Sequence, residues 1–540
     1  MLKTGTLLLC HLPFAPATPP HLALPVLAGY LRSRGWPVRC WDGNNAFVHR
    51  VGRPEAVAAG RERLAALRGR PERPAWADRT EAVLARLGDR VACLDRPEVF
   101  VSARERNLAL EAVLDLASLG KRERVLFDRV SNGLGLLSPS SPYSLKASLE
   151  AASAFDLLEG FFEDELLPLA DGTVSVAGLS VSFAEQFQPA LRAARVLKAA
   201  RPELPVYLGG SFVSYHLRDV GDSLFDLVDG VVIGDGERAL EEILRREEGG
   251  SRGEPAIAGL VTRTRPFEGP AQAPPLTELP DPDFSDFPPR RYFFPEGRAI
   301  LPLRFSRGCW WNRCAFCRGY SGTYDRAEPS FLVDQLLRLA GRTRARSFIL
   351  SDACLLPEVL YGFAQLLTER GSSFLWNAHF RFHPSLTLEK IVLLRQAGCS
   401  RLFLGLEAFS DRLLTLMDKG ITTELIDRNL RDLAWAGMDV FLYVIVGFPT
   451  ETEEEAREGF RRLKRHLDEG LSATVQFNPF ILFPDSPVGR APEKYGIGEV
   501  LCDEREDLLA PARSYRGPGM TPSRAVELAG EFSRVLSSSS

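Results

Sequence analysis

Three cysteines, Cys309, Cys314 and Cys317, stand in the run Arg-Phe-Ser-Arg-Gly-Cys-Trp-Trp-Asn-Arg-Cys-Ala-Phe-Cys at the end of an apolar stretch. Their spacing is C-x4-C-x2-C. Three thiolates this close together can hold three corners of an iron–sulfur cube and leave the fourth iron open for chemistry, whereas structural zinc takes four protein ligands. A fourth zinc ligand would have to come from far off. The next cysteine, Cys354, lies one βα unit downstream, and the next histidine is His379. A zinc knuckle or three merely buried thiols remain the competing readings.

The neighbours sharpen the first reading, because Gly308 permits an abrupt exit from a strand and Phe316 sets an aromatic face between the last two cysteines. Here the chain resembles the radical S-adenosylmethionine superfamily. The resemblance implies a [4Fe-4S] cluster on Cys309, Cys314 and Cys317 that binds S-adenosylmethionine through its open iron. It also implies reductive cleavage of that cofactor to methionine and a 5'-deoxyadenosyl radical. The more common family spacing is C-x3-C-x2-C, so one residue among Trp310, Trp311, Asn312 and Arg313 is extra.

The elements that must position this loop follow from length and pattern. At 540 residues, with 45% apolar and 25% charged residues, the chain suits two or three soluble domains with ample core. A net charge of -4 argues against a general nucleic-acid or anionic-membrane binder. The first apolar run, residues 7–10, is soon broken by Pro13, Pro16, Pro19 and Pro20, too short for a signal peptide or a membrane span. Nine cysteines with no even framework point to a reducing compartment, and hence to the cytoplasm. Cys10, Cys40, Cys93, Cys399 and Cys502 are read as small apolar residues.

The fold class expected is α/β: a doubly wound, Rossmann-like domain over residues 1–250, followed by a partial (β/α)6 barrel over 299–490. In the first domain a strand (residues 6–10), a helix (22–34) stopped by Gly35 and a second strand (37–41) open a parallel sheet. Residues 44–170 read as a helical insertion. The sheet resumes with strands near 174–183, 206–209 and 227–233, and a helix over 237–246 completes it. Pro-rich residues 251–298 read as a linker, and 491–540 as an extension with an amphipathic helix near 525–536. About 185 barrel residues, at roughly thirty per βα unit, allow six units rather than eight.

In a parallel barrel, chemistry gathers where strands end. The second barrel strand ends in Ser351-Asp352-Ala353-Cys354, where the resemblance implies a carboxylate, Asp352, for the amino group of S-adenosylmethionine. A thiol at Cys354 can donate a hydrogen atom, or be a buried inert cysteine. The third strand ends in Arg381 and His383. The fourth ends in Gly405-Leu406-Glu407, similar to the family's Gly-x-Glu, which implies that Glu407 bonds the ribose or the methionyl amine. The fifth ends in Gly447-Phe448-Pro449-Thr450-Glu451-Thr452, similar to Gly-Phe-Pro-Gly-Glu-Thr, where Gly447, Phe448 and Pro449 would line the adenine. Glu451 is equally readable as a helix cap.

The amino-terminal domain resembles the cobalamin-binding domain fused to many members of that superfamily. The resemblance rests on the opening strand and helix, on the run 178–183, on Leu208-Gly209-Gly210-Ser211 and on Gly234-Asp235-Gly236-Glu237. It implies a corrinoid site at the carboxyl edge of the sheet, with Ser182, Gly209, Gly210, Gly234 and Gly236 near the corrin tail. The Asp-x-His-x-x-Gly motif that supplies histidine to cobalt is absent. A Rossmann-like domain without a ligand is the alternative.

The expected function is reductive cleavage of S-adenosylmethionine, with cobalamin as a second cofactor and methyl transfer to an unactivated carbon of a small molecule or peptide. Flavodoxin or ferredoxin would supply electrons. Alternatives are a cobalamin-independent radical enzyme and a non-catalytic zinc protein.

Overall fold

The computed structural model describes residues 5–16, 19–94, 96–128, 133–138, 143–249, 256–288, 291–292, 299–319, 324–501 and 514–538. Cys502 lies outside them. The chain forms two compact units that divide between Ile300 and Leu301.

In the first unit, β1 (Thr6–His11) pairs in parallel with β2 (Val38–Asp42) on one side. Five of the six β1 residues are buried, as expected of a central strand covered on both faces. After β2 the chain leaves the sheet for a run of helices and one antiparallel hairpin, β3 (Arg124–Asp128) and β4 (Gly133–Leu137). The expected helical insertion therefore contains a β element as well. It is also not a separate module: Phe47, Val57, Leu64, Leu110, Phe161 and Phe162 share one buried cluster with Leu8 and Cys10 of β1.

The sheet resumes with β5 (Val174–Ser180), β6 (Val206–Gly209), β7 (Gly230–Val232) and β8 (Leu260–Val261), giving the order β2-β1-β5-β6-β7-β8. The first five strands are parallel, and β8 is antiparallel to β7. Part of the expected linker is thus the sixth strand of this sheet. The parallel strands follow the flavodoxin-like order 2-1-3-4-5, whose direction reverses between β1 and β5, the switch point at whose carboxyl ends such folds take ligands.

The second unit begins with β9 (Ile300–Leu303) and a two-residue ladder of β10 (Ser306–Arg307) and β11 (Asp325–Arg326). It continues through β12 (Ser347–Leu350), β13 (Leu375–Phe380), β14 (Cys399–Glu407), β15 (Asp439–Val446) and β16 (Ala473–Pro479). These form an open six-stranded sheet in the order β9-β12-β13-β14-β15-β16, parallel from β12 to β16. Helices Pro329–Thr343, Pro357–Glu369, Leu388–Gln396, Thr423–Trp435 and Glu453–Asp468 alternate with the strands. Thr422 and Thr452 cap the last two through their side chains.

The sixth helix comes from beyond the expected barrel boundary. Pro522–Ser538 returns to cover β16, where Phe532 stacks on Phe460 at 4.3 Å and meets Phe477 edge-on at 5.4 Å. Arg457 and Arg524 tie this helix to the one before through Glu531 and Glu453. The carboxyl-terminal segment is therefore barrel wall. Among the described residues no helix is long and apolar enough to cross a membrane.

Replacing Phe532 by Ala is expected to cost about 3–5 kcal/mol, the usual range for a buried aromatic. Urea denaturation checks it: the transition of the second unit should move to lower urea. A midpoint unchanged from the parent protein would mean the helix is dispensable.

Candidate functional site

The cysteine loop leaves β9 through a carboxylate anchor. The backbone N–H groups of Phe305 and Ser306 donate to Asp352 Oδ1 at 2.9 and 2.5 Å, and the Ser306 hydroxyl donates to the same atom at 2.8 Å. Asp352 is buried, and burial pushes its pKa up to about 6 against the lowering effect of those donors. The structure thus gives Asp352 a positioning role. It fixes the loop's exit rather than presenting a free carboxylate to a cofactor's amino group.

Beyond the anchor, Gly308 and Asn312 adopt left-handed backbone, and Asn tolerates that region better than most residues. The turn at Asn312 accommodates the extra residue of the C-x4-C spacing. Two indoles pin it: Trp310 Nε1 donates to the Leu355 carbonyl at 3.0 Å, and Trp311 Nε1 to the Asp418 carbonyl at 2.8 Å. The other end is clamped between loops after β14 and β16, since Ala315 N–H donates to Met417 and its carbonyl accepts from Val488. Arg318 pairs with Asp485 at 2.7 Å.

The three cysteines are half-buried and face two buried cations. Lys419 Nζ donates to Glu407 Oε1 at 2.6 Å and lies 5.7 Å from the centre of the Phe316 ring. Burial opposes the Lys419 charge, yet Glu407 and the Cys314 sulfur hold its pKa above the usual lysine value. Arg381 stacks on Trp311 at 3.8 Å and donates through Nη2 to the Lys419 carbonyl.

The bulge in β14 between Gly405 and Glu407, with left-handed backbone at Glu407, aims this carboxylate at Lys419. A Cβ at Gly405 would stand 2.2 Å from Glu407 Oε1 and 2.7 Å from Lys419 Nζ. The glycine of Gly-x-Glu is therefore needed to make room for the ion pair.

The Cys354 thiol, buried beside Cys309, brings the Cys309 pKa down to about 6, with help from the N–H groups of Asn312 and Trp311. Burial pushes Cys314 up to about 11 and also raises Cys317, whose sulfur accepts from Gly319 N–H at 3.3 Å. Cys354 itself is engaged by Cys309 and by the Leu355 carbonyl at 3.9 Å. That environment fits the buried alternative more closely than a thiol open to substrate.

Among the described residues no three His, Cys, Asp or Glu side chains stand close enough to hold a single metal ion. A cube carries each cysteine on a different iron, so its ligands spread wider than those of one ion. Three thiols on one loop, with backbone donors to two of the sulfurs and buried cations alongside, form a donor set that fits such a cluster.

The fifth strand's loop is built differently from its expectation. Phe448 is fully buried in a cluster with Ala315, Met417, Phe480 and Tyr515, and so does not form an open wall for a base. Gly447 N–H donates to Glu451 Oε2 at 2.5 Å, and the Gly447 carbonyl accepts from Tyr515. The helix cap is Thr452, reciprocated by Glu455, so Glu451 braces its own loop instead of capping. Pro449 lies between these two braced positions.

In the first unit, Gly209 ends β6, Ser182, Gly210 and Gly234 lie just past strand ends, and Gly236 opens the helix after β7, all at the carboxyl edge. Two of these glycines are explained by neighbouring main chain: a Cβ at Gly210 would lie 2.5 Å from the Val181 carbonyl oxygen, and one at Gly234 2.4 Å from that of Ala271. A Cβ at Gly209 would meet nothing nearer than 3.9 Å, the Val232 carbonyl oxygen. Ser182 receives the Ser211 hydroxyl on its carbonyl at 2.9 Å. Sequence reading missed the polar residues on the same edge: His11 at the end of β1 stacks on His21 at 4.5 Å, and Asp42 ends β2. Burial lowers both histidines to about 3, leaving them neutral. The available signal was a polar residue closing each of two apolar strands.

Residues 303–463 match the model of the radical SAM superfamily, so the chain carries a radical SAM domain. It is 25% identical over 302 residues to the anaerobic magnesium-protoporphyrin IX monomethyl ester cyclase of Rubrivivax gelatinosus, covering 54% of each chain. It is 24% identical over 301 residues to the hopanoid C-3 methylase of Methylococcus capsulatus, covering 54% of this chain and 56% of that protein. The chain thus spans little more than half the length of these relatives.

Among solved structures, the cobalamin-dependent S-adenosylmethionine radical enzyme OxsB with aqua-cobalamin bound aligns with 98% of this chain and 66% of its own. The TM-score is 0.60 and the identity 14%. The radical S-adenosylmethionine methyltransferase TsrM from Kitasatospora setae aligns with 97% of this chain and 88% of its own, at a TM-score of 0.57 and 16% identity. At such identities these likenesses show the fold alone: a Rossmann-like unit followed by a radical SAM partial barrel.

Burial raises the Glu451 carboxyl to about 7, from an ordinary 4.5. Between those values the folded chain keeps a proton that the unfolded chain has released, so stability falls as pH rises through the window, by roughly 3 kcal/mol. Glu451→Gln should remove that dependence. Thermal melts at pH 5 and pH 8 should show the variant gaining on the parent protein at the higher pH; parallel behaviour would contradict the assignment.

Proposed function

We propose that this protein is an iron–sulfur enzyme that cleaves S-adenosylmethionine reductively, uses cobalamin as a second cofactor, and methylates an unactivated carbon of a natural product or peptide. The observation that carries it is the cysteine loop at the end of β9, held by Asp352 and flanked by Lys419 and Arg381. A cluster held there would supply an open iron and one electron for the cofactor, and a corrinoid would supply the methyl group.

The chain's own part is placement. Cys309, Cys314 and Cys317 bind; Asp352, Trp310 and Trp311 set the loop's course; Glu407 balances the charge of Lys419. The crevice at the carboxyl ends of β1 and β5 is where the doubly wound unit would take the corrinoid, with Ser182 and Gly209 on its rim. Cytoplasmic placement and a flavodoxin or ferredoxin donor belong to this reading.

One observation favours a second reading, a radical enzyme without cobalamin: Gly210 and Gly234 are already required by the chain's own main chain. Metal and corrinoid analysis of protein purified without oxygen, from cells given iron and cobalamin, decides between them. About four irons and one corrinoid per chain are expected. Four irons without corrinoid would leave the second reading, and zinc in place of iron would overturn both. Cys314→Ala should lose the iron and, with it, formation of 5'-deoxyadenosine.

A further inference from the structure

Arg381 is 5% exposed, and its Nε and Nη1 atoms are buried with no hydrogen-bond partner among the described residues. Leaving donors of a charged group unpaired in the interior is costly, so a partner is called for. The guanidinium is held in place on every other side: Trp311 lies 3.8 Å away on its face, Trp310 5.2 Å away, and Nη2 donates to the Lys419 carbonyl. Its charge acts on the sulfurs of Cys354, Cys314 and Cys309.

The neighbouring charges do not cancel it. Lys419 is matched by Glu407 in a pair whose side chains are 10% and 8% exposed. Asp418, which Arg381 also feels, is 43% exposed and already paired with Arg313. Arginine keeps its proton in any protein environment, so a fixed positive charge stands beside the cysteine loop.

We propose that Arg381 sets the reduction potential of the iron–sulfur cluster by offering its Nε and Nη1 hydrogens to the sulfurs held by the cysteine loop. This rests on the reading of that loop as a cluster site. Reduction adds one electron and makes the cluster more negative. A fixed cation and N–H donors at the sulfurs favour the reduced form, raising the potential. The two tryptophans of the lengthened C-x4-C segment then have a second use, since they form the platform that keeps the guanidinium flat and dry.

The test is a potentiometric titration with dithionite, one electron per cluster, followed by electron paramagnetic resonance without S-adenosylmethionine. Arg381→Met is expected to shift the reduced-to-oxidised ratio at fixed potential at least tenfold toward the oxidised form, about 59 mV for one electron. An unchanged ratio with a full iron complement would overturn the proposal. Unchanged ratio together with weaker S-adenosylmethionine binding would overturn it too, and assign the guanidinium to the cofactor's carboxylate. Should Arg381→Met fail to load iron, Arg381→Lys keeps the charge while losing the planar fork; it should shift the ratio in the same direction by a smaller factor, and no shift would overturn the proposal. A parent protein that forms no cluster signal would instead remove the cluster reading itself.

Discussion

Thiolates gathered in a partly buried loop are electrostatically expensive, and the second unit is organised around meeting that cost. Burial alone drives Cys314 and Cys317 toward the neutral thiol. Binding a metal cluster demands the opposite. Lys419 and Arg381, both buried, supply the compensating charge, and each in turn needs support: Glu407 for Lys419, the Trp310 and Trp311 rings for Arg381. Gly405 must be small for the pair to fit, and the β14 bulge must turn Glu407 toward it. A short stretch of strand end and two loops are thus fixed by one charge problem.

The same logic explains why the loop is so heavily tethered. A cluster ligand set must be held in place before the metal arrives, because ordering a free loop would draw on the binding energy. Asp352 fixes the entry, the indoles of Trp310 and Trp311 fix the turn, and Met417 and Val488 fix the exit. Segments far along the chain join in: Tyr515 holds Gly447, and Pro522–Ser538 closes the wall over β16. The carboxyl-terminal segment therefore belongs to the barrel on which the site stands.

Strong periodic elements were legible in the sequence. Strand Ser347–Leu350 and strand Val206–Gly209 fall where alternation and apolar runs put them, and the six-strand count follows from spacing. The cysteine motif was legible because three thiols at fixed offsets have few uses. What could not be read was partnership. Asp352 and Glu407 look alike as acidic residues after strands, yet one holds backbone N–H groups and the other a lysine twelve residues on. Gly210 and Gly234 read as ligand-facing glycines, but each accommodates neighbouring main chain. Such pairings depend on which loops the barrel and sheet bring together, information that no local pattern carries. The short β8 and the hairpin of β3 and β4 were missed for a related reason: two-residue or isolated strands have too little periodicity to announce themselves.

The electron paramagnetic resonance spectrum of the reduced, iron-loaded protein, recorded before and after adding S-adenosylmethionine, bears most directly on the cysteine loop. A cluster held by three cysteines with one open iron should give a reduced [4Fe-4S] signal that changes when the cofactor is added. A silent spectrum with zinc in the protein, or a signal indifferent to S-adenosylmethionine, would contradict it.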